Sequence, residues 1–207
     1  MIEVKNISLA LNKRQILNNV SLTLKEGNIY GLVGNNGSGK TMLMKCMCGF
    51  IRPTEGTVES NGKVIGRDVD YLPDAGVIIE TPGFIPYYSG FQNLKVLAGI
   101  KNKISAKEIR EAIQTVGLDP DLKLPVKKYS LGMRQRLGLA QAIMENPSVL
   151  ILDEPMNGLD KNGVEDIRKL LLFMKDERKI IVIASHNAED IRVLCDEVHE
   201  MEQGELI

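Results

Sequence analysis

The octapeptide GNNGSGKT, residues 34–41, constrains this chain more than any other stretch. It follows an apolar run, NIYGLV, and leads into MLMKCMCGF, which has the residues of a helix. Glycines at 34, 37 and 39 let successive backbone N–H groups turn inward, and the helix N-terminus behind them adds its positive dipole end. Such a loop is an anion nest. The spacing G-x-x-x-x-G-K-[ST] assigns Gly34, Asn35, Asn36, Gly37, Ser38 and Gly39 to the phosphates of a nucleotide. Lys40 then reaches the β- and γ-phosphates, and Thr41 ligates Mg²⁺. A tight glycine turn that binds nothing is the alternative, and the strand before it and the helix after it argue against that.

The other half of a phosphate site is a carboxylate at the end of a neighbouring strand. SVLILDEP, residues 148–155, offers two. Asp153 can hold the metal through its water shell, and Glu154 can act as the base that polarises an attacking water. Acids in such a place also serve as helix caps or turn formers. Two in succession after four aliphatic residues, downstream of a phosphate loop, favour the site. His186 closes a second apolar run, KIIVIASH, and the carboxyl ends of parallel strands are where such folds hold ligands. A neutral imidazole there can hydrogen-bond a γ-phosphate and keep Glu154 and its water in line; a capping or core histidine is the competing reading. His199, among acidic neighbours, reads as a solvated strand residue.

The remaining pattern frames that site. The first thirty residues alternate with a period of two and predict antiparallel strands, and Asn61-Gly62 inside GTVESNGKVIG predicts a hairpin. From about residue 83 to 146 the texture is helical. SAKEIREAIQTVG opens with Ser105 and Glu108 as a capping box, sets Ile109, Ala112, Ile113 and Val116 on one face, and stops at Gly117. VLIL and IIVIA read as strands buried on both faces of a parallel sheet. The expectation is one α/β domain over residues 1–207 with a helical insert. A net charge of −1 gives no general attraction to nucleic acid, and no apolar run approaches the roughly 20 residues of a membrane helix. The polar first residues exclude a signal peptide, which predicts a cytosolic protein. Cys46, Cys48 and Cys195 are expected to be packed thiols rather than metal ligands.

One stretch needs a further explanation. YSLGMRQR, residues 129–136, is a second serine-and-glycine turn at the start of a helix, with Ser130 where an N-cap falls. A well-capped helix is the plain account. The set of motifs, however, resembles the ATP-binding subunit of ATP-binding-cassette (ABC) transporters over essentially the whole chain. GNNGSGKT matches the Walker A loop, VLILDEP the Walker B strand, NGLD at 157–160 the D-loop and ASH the switch histidine; YSLGMRQR resembles the signature sequence. The spelling is most similar to the bacitracin and lantibiotic-immunity type of exporter subunit of Gram-positive bacteria. The resemblance implies a P-loop NTPase (RecA-like) core with an N-terminal antiparallel β-subdomain and an inserted α-helical subdomain. It also implies an ATPase that uses ATP and Mg²⁺, with Lys40, Glu154 and His186 as its catalytic residues. Two subunits, identical or related, dock head to tail so that Ser130 and Gly132 of one complete the nucleotide site of the other and Asp160 crosses the interface. The partner is an integral membrane permease, which places the protein at the inner face of the cell membrane, with export of an antimicrobial peptide or similar compound as the task.

Departures from the family pattern carry their own expectations. The adenine-stacking aromatic should fall near Leu11, where none stands, so GTP is expected to compete with ATP. The usual glutamine between core and insert is Glu80, a third candidate metal ligand beside Thr41 and Asp153. The signature's second glycine is Leu131 and its glutamine Met133. Four of the chain's nine aromatics, Phe84, Tyr87, Tyr88 and Phe91, crowd a Pro- and Gly-rich stretch. They read equally as insert core or as contact surface, and the resemblance points to the permease contact. A soluble cassette ATPase and a non-hydrolysing nucleotide-gated module are the competing functions. Glu154 and His186 argue against the second, and the absence of an N-K-x-D motif against a GTPase.

Overall fold

The computed structural model describes residues 1–207, all of the chain. Its elements begin with β1 (Ile2–Leu11), β2 (Arg14–Leu24), β3 (Asn28–Val33), α1 (Lys40–Cys48), β4 (Glu55–Ser60), β5 (Lys63–Val64) and β6 (Ala75–Ile78). Helices α2 (Gly90–Lys101), α3 (Ala106–Thr115) and α4 (Leu131–Ile143) follow. The chain closes with β7 (Val149–Asp153), α5 (Lys161–Asp176), β8 (Ile180–Ala184), α6 (Ala188–Leu194), β9 (Glu197–Glu202) and β10 (Glu205–Leu206). No helix is long and apolar enough to cross a membrane.

Two sheets organise these elements. The smaller, in the order β2-β1-β4-β5, is antiparallel throughout, and its last turn is Asn61-Gly62 with φ of 49° and 77°. Positive φ at both positions is what the Asn-Gly pair supplies most cheaply. The larger sheet runs β10-β9-β3-β8-β7-β6, parallel from β9 to β6, with β10 antiparallel at one edge. The alternating N-terminus predicts antiparallel strands for all thirty residues, and β3 departs from this. It lies between β8 and β9 in the parallel sheet. The reason is burial: Ile29 faces one core while Tyr30 and Leu32 face the other, so the strand carries no solvated face.

The larger sheet is covered on both sides. Leu150 and Leu152 of β7 and Ile181 and Ile183 of β8 point to a core shared with α2–α5. Their alternates Val149, Ile151, Ile180 and Val182 point to a second core shared with α1 and the small sheet. Each fully buried aliphatic contributes about 1.5–3 kcal/mol, and the period of two means that slipping any of these strands by one residue would exchange the cores. The two faces converge at the carboxyl ends of β3, β7 and β8, which is where the candidate site lies.

Helices α2–α4 sit between β6 and β7 in sequence. The capping box of α3 is made, with Ser105 Oγ accepting the Glu108 N–H at 3.4 Å and Glu108 Oε2 accepting the Ser105 N–H at 2.7 Å. Gly117, at φ 77°, follows the end of that helix. The aromatic stretch divides. Phe84 and Phe91 pack against the helical core, whereas Tyr87 is 73% exposed and Tyr88 is also exposed. Phe91 belongs to the first turn of α2 rather than to the loop. Cys46 and Cys48 are both buried in the core behind α1, where burial pushes their thiols up to about 11 and about 12. His199 differs from its expected solvated state. Its ring lies over Tyr30 at 6.2 Å and its Nε2 is buried, because β9 is flanked by β3 and β10.

Candidate nucleotide site

Residues 34–39 leave β3 and enter α1 through three left-handed or glycine-only turns, at Gly34, Gly37 and Gly39. At Gly34 a side chain is sterically impossible, since a Cβ would lie 2.2 Å from the Met201 carbonyl oxygen of β9. Gly39 caps α1 without offering any side-chain acceptor, so the first-turn N–H groups of the helix are directed at whatever the loop encloses. Lys40 is buried, and its ammonium donates to the carbonyls of Gly34 at 2.6 Å and Asn35 at 3.1 Å. The Oγ of Ser38 is also buried and has no hydrogen-bond partner in the protein.

Across from the loop, Thr41 Oγ1 donates to Asp153 Oδ2 at 2.8 Å, joining the start of α1 to the end of β7. A hydroxyl and a carboxylate in contact are hard oxygen donors of the kind Mg²⁺ takes, so the pair fits that ion. Glu154 follows with a left-handed backbone, φ 50°, which turns its side chain back toward the strand ends. Its Oε1 is buried without a hydrogen-bond partner and lies 3.4 Å from His186 Nε2. Burial pushes the Glu154 carboxyl above the usual glutamate value; the nearby His186 pulls it back, Asp153 raises it and Lys40 lowers it. A buried carboxylate oxygen left without a partner on a residue that borders the cavity is expected where a polar ligand completes the bonding.

A cavity of about 600 Å³ opens over these groups and is bordered by Gly37, Gly39, Lys40, Thr41, Asp153, Glu154 and His186. Glu80, also left-handed at φ 62°, reaches its rim, but its carboxylate is engaged by Lys45 Nζ of α1 at 2.6 Å. The charge that a glutamate adds here is therefore matched inside the chain. Leu11 stays outside this cavity, and the β2 residues that border it are Arg14 and Ile16. Arg14 is exposed and makes no ion pair. Gln135 of α4 also enters, its side-chain amide donating to the carbonyls of Glu154 and Pro155 at 3.1 Å each. Nothing in its spacing signals that role, nor that of Arg14 or Lys45.

Three expected site residues lie elsewhere. Ser130 caps α4, accepting the Met133 N–H at 3.1 Å; Asp160 caps α5, accepting the Gly163 N–H at 2.9 Å. Both are exposed and neither borders the cavity of its own chain; Gly132, half-buried, does not border it either. Gly132 has a reason for lacking a side chain within the subunit: a Cβ would sit 2.7 Å from the Gly158 carbonyl oxygen. The turn at 130–132 and the loop at 157–160 are packed on each other.

A family model for ABC transporters matches residues 17–157. The chain is 45% identical over 206 residues to YybJ of Bacillus subtilis, described as an uncharacterized ABC transporter ATP-binding protein, covering 100% of this chain and 94% of that one. The chain belongs to the ABC transporter family. It is an ATP-binding cassette, and cassettes of this family hydrolyse ATP. The cassette is also 39% identical to the bacitracin transport ATP-binding protein BcrA of Enterococcus faecalis, over 100% of this chain and 68% of that one. Its identity to the lantibiotic transport ATP-binding protein SrtF of Streptococcus pyogenes is 36%, over 100% and 89%. A dimeric bacterial ABC transporter cassette of known structure superposes with a TM-score of 0.89 at 23% identity, over 100% of this chain and 96% of that one, which establishes the same fold. The α/β P-loop architecture of this cassette is therefore the family's.

Proposed function

We propose that the protein is the ATP-hydrolysing subunit of an exporter and works as a two-fold dimer closed around two nucleotides. Lys40, Thr41 and Asp153 of one subunit and Ser130 and Gly132 of the other enclose each triphosphate. The observation that carries this reading is the pair of contacts at one end of one cavity, Thr41 to Asp153 at 2.8 Å and Glu154 to His186 at 3.4 Å. Thr41 and Asp153 would hold Mg²⁺, which when bound offsets charge on the β- and γ-phosphates. Glu154, with one oxygen desolvated and unpartnered, accepts the proton of the attacking water, and His186 aligns the γ-phosphate. Lys40 exchanges its loop carbonyls for phosphate oxygens. Ser130 and Asp160 are supported as cross-subunit contacts by their exposure and by their exclusion from the cavity of their own chain. Removal of the γ-phosphate takes away a group that both subunits hold, and the dimer opens.

The membrane partner is read from a second surface. An apolar groove of about 500 Å³ runs beside edge strand β6, bordered by Phe50, Tyr71, Val77, Leu97 and Ile100. With the exposed Tyr88, which shares a neighbouring hollow with Ile100, it forms a patch of the kind that marks a protein contact. A cytoplasmic segment of an integral permease is the proposed occupant, which places the protein on the inner face of the membrane. Relatives named for bacitracin and lantibiotic transport support an antimicrobial peptide or related compound as cargo. A soluble cassette without a permease would leave that patch unexplained.

The test is light scattering on Glu154→Gln with and without MgATP, and with Ser130→Arg added. A dimer that forms with MgATP and is lost on the Ser130 change is expected. A monomer under all conditions, with nucleotide bound, would remove the sandwich reading.

A further inference from the structure

One buried ionic cluster lies away from the phosphate loop and has no part in the roles above. Arg168, two turns into α5, has 7% of its side chain exposed, and Asp190 of α6 has 3%. Two charges so placed are costly unless well matched. Arg168 Nε and Nη2 both donate to Asp190 Oδ1, at 3.0 and 2.6 Å, and Nη1 donates to Glu165 Oε1 at 3.0 Å. The second Asp190 oxygen, Oδ2, accepts from the Ser185 hydroxyl at 3.3 Å, and that hydroxyl oxygen accepts the Asn187 N–H at 3.1 Å. A single buried hydroxyl therefore ties together the residues on either side of His186. The imidazole itself is half exposed, and its one charged neighbour is Glu154 at 3.4 Å. With half of the ring unpacked, its position depends on the backbone of residues 185–187.

We propose that Arg168 and Asp190 are positioning residues for His186, acting through the Ser185 hydroxyl. A pair that only fastened α6 to α5 would have no use for the second Asp190 oxygen on Ser185. The arrangement also joins two functional loops, because α5 starts at the exposed Asp160 and carries Arg168 eight residues later. A shift of α5 along its axis is delivered to the histidine. The catalytic consequence rests on the role proposed for His186; the placement does not.

The chain has two histidines, so its imidazole Cε1–H groups give two ¹H–¹³C resonances, assigned with His186→Ala. Ser185→Ala, Asp190→Asn and the paired Arg168→Met/Asp190→Leu, which strands no buried charge because Glu165 and Glu189 are exposed, are expected to shift or broaden the His186 resonance and leave that of His199 in place. An unmoved His186 resonance in folded protein overturns the proposal. Turnover at saturating MgATP should fall between about tenfold and a hundredfold, with KM changed by less than about twofold. In a His186→Ala background Ser185→Ala should have no further effect on turnover, and losses that multiply there would also overturn it. If His186→Ala alone left turnover unchanged, the role proposed for that histidine would fall while the resonance result stood.

Discussion

Glu154 stands where several influences meet, the largest being loss of water around its carboxylate, then the imidazole of His186 and the charge of Asp153. Burial dominates and raises its pKa. A base acts in its ionised form, so turnover is expected to fall as pH drops through a value above the ordinary glutamate range, and the pH–rate profile of MgATP hydrolysis reads it directly. The stability effect has the opposite sense. A carboxyl whose folded pKa exceeds its unfolded one favours folding below the unfolded pKa and loses that contribution as pH rises through the folded one. Arg14 carries a second expectation at this scale. Its unpaired guanidinium borders the cavity where no aromatic does, and a planar cation stacks on any base. Arg14→Ala should weaken ATP and GTP alike, by up to about tenfold, and leave inorganic tripolyphosphate unaffected in a titration. That Lys40, Thr41 and Asp153 come together at one cavity is legible in the sequence because the motif fixes residue type and spacing together. Arg14, Gln135 and Lys45 are not, since a lone polar residue on a strand or helix has no partner until the fold supplies one.

Among the elements, α2 shows how a loop is kept in shape by a residue that reads as ordinary. Asn93 is 3% exposed; its Oδ1 accepts the Ile85 N–H at 2.7 Å and its Nδ2 donates to the carbonyls of Ile85 and Ser89 at 3.2 and 3.0 Å. Asn93→Ala removes these together and leaves buried backbone groups unpaired, at a cost of about 1–3 kcal/mol measured by denaturant unfolding. The loop that presents Tyr87 and Tyr88 should loosen with it. A helix interior asparagine gives no hint of this in the sequence, whereas the α3 capping box is legible because all of its bonds lie within four residues. Strand β3 failed the antiparallel expectation for the same reason in reverse: partners such as Ile180 and Glu197, far along the chain, decide its sheet, and local alternation carries no information about them.

For the whole molecule, the two surfaces proposed as contacts share one helical insert: α4 opens with the capped turn at Ser130 and Leu131, and α2 borders the apolar groove. Ile100, 77% exposed, can be charged without disturbing the core. Ile100→Glu is expected to leave MgATP-driven dimerisation of the Glu154→Gln protein intact while abolishing co-purification with the permease, and retention of the permease would remove the groove from the interface. The architecture also bears on how far the protein can be hardened against heat. Glu80 and Glu154 both hold backbone conformations that glycine adopts freely and that cost a glutamate about 1–3 kcal/mol. Glycine at 154 would relax the chain and delete the proposed base in one step. Robustness and turnover are therefore set against each other at that backbone position, and selection for the first alone would erode the second.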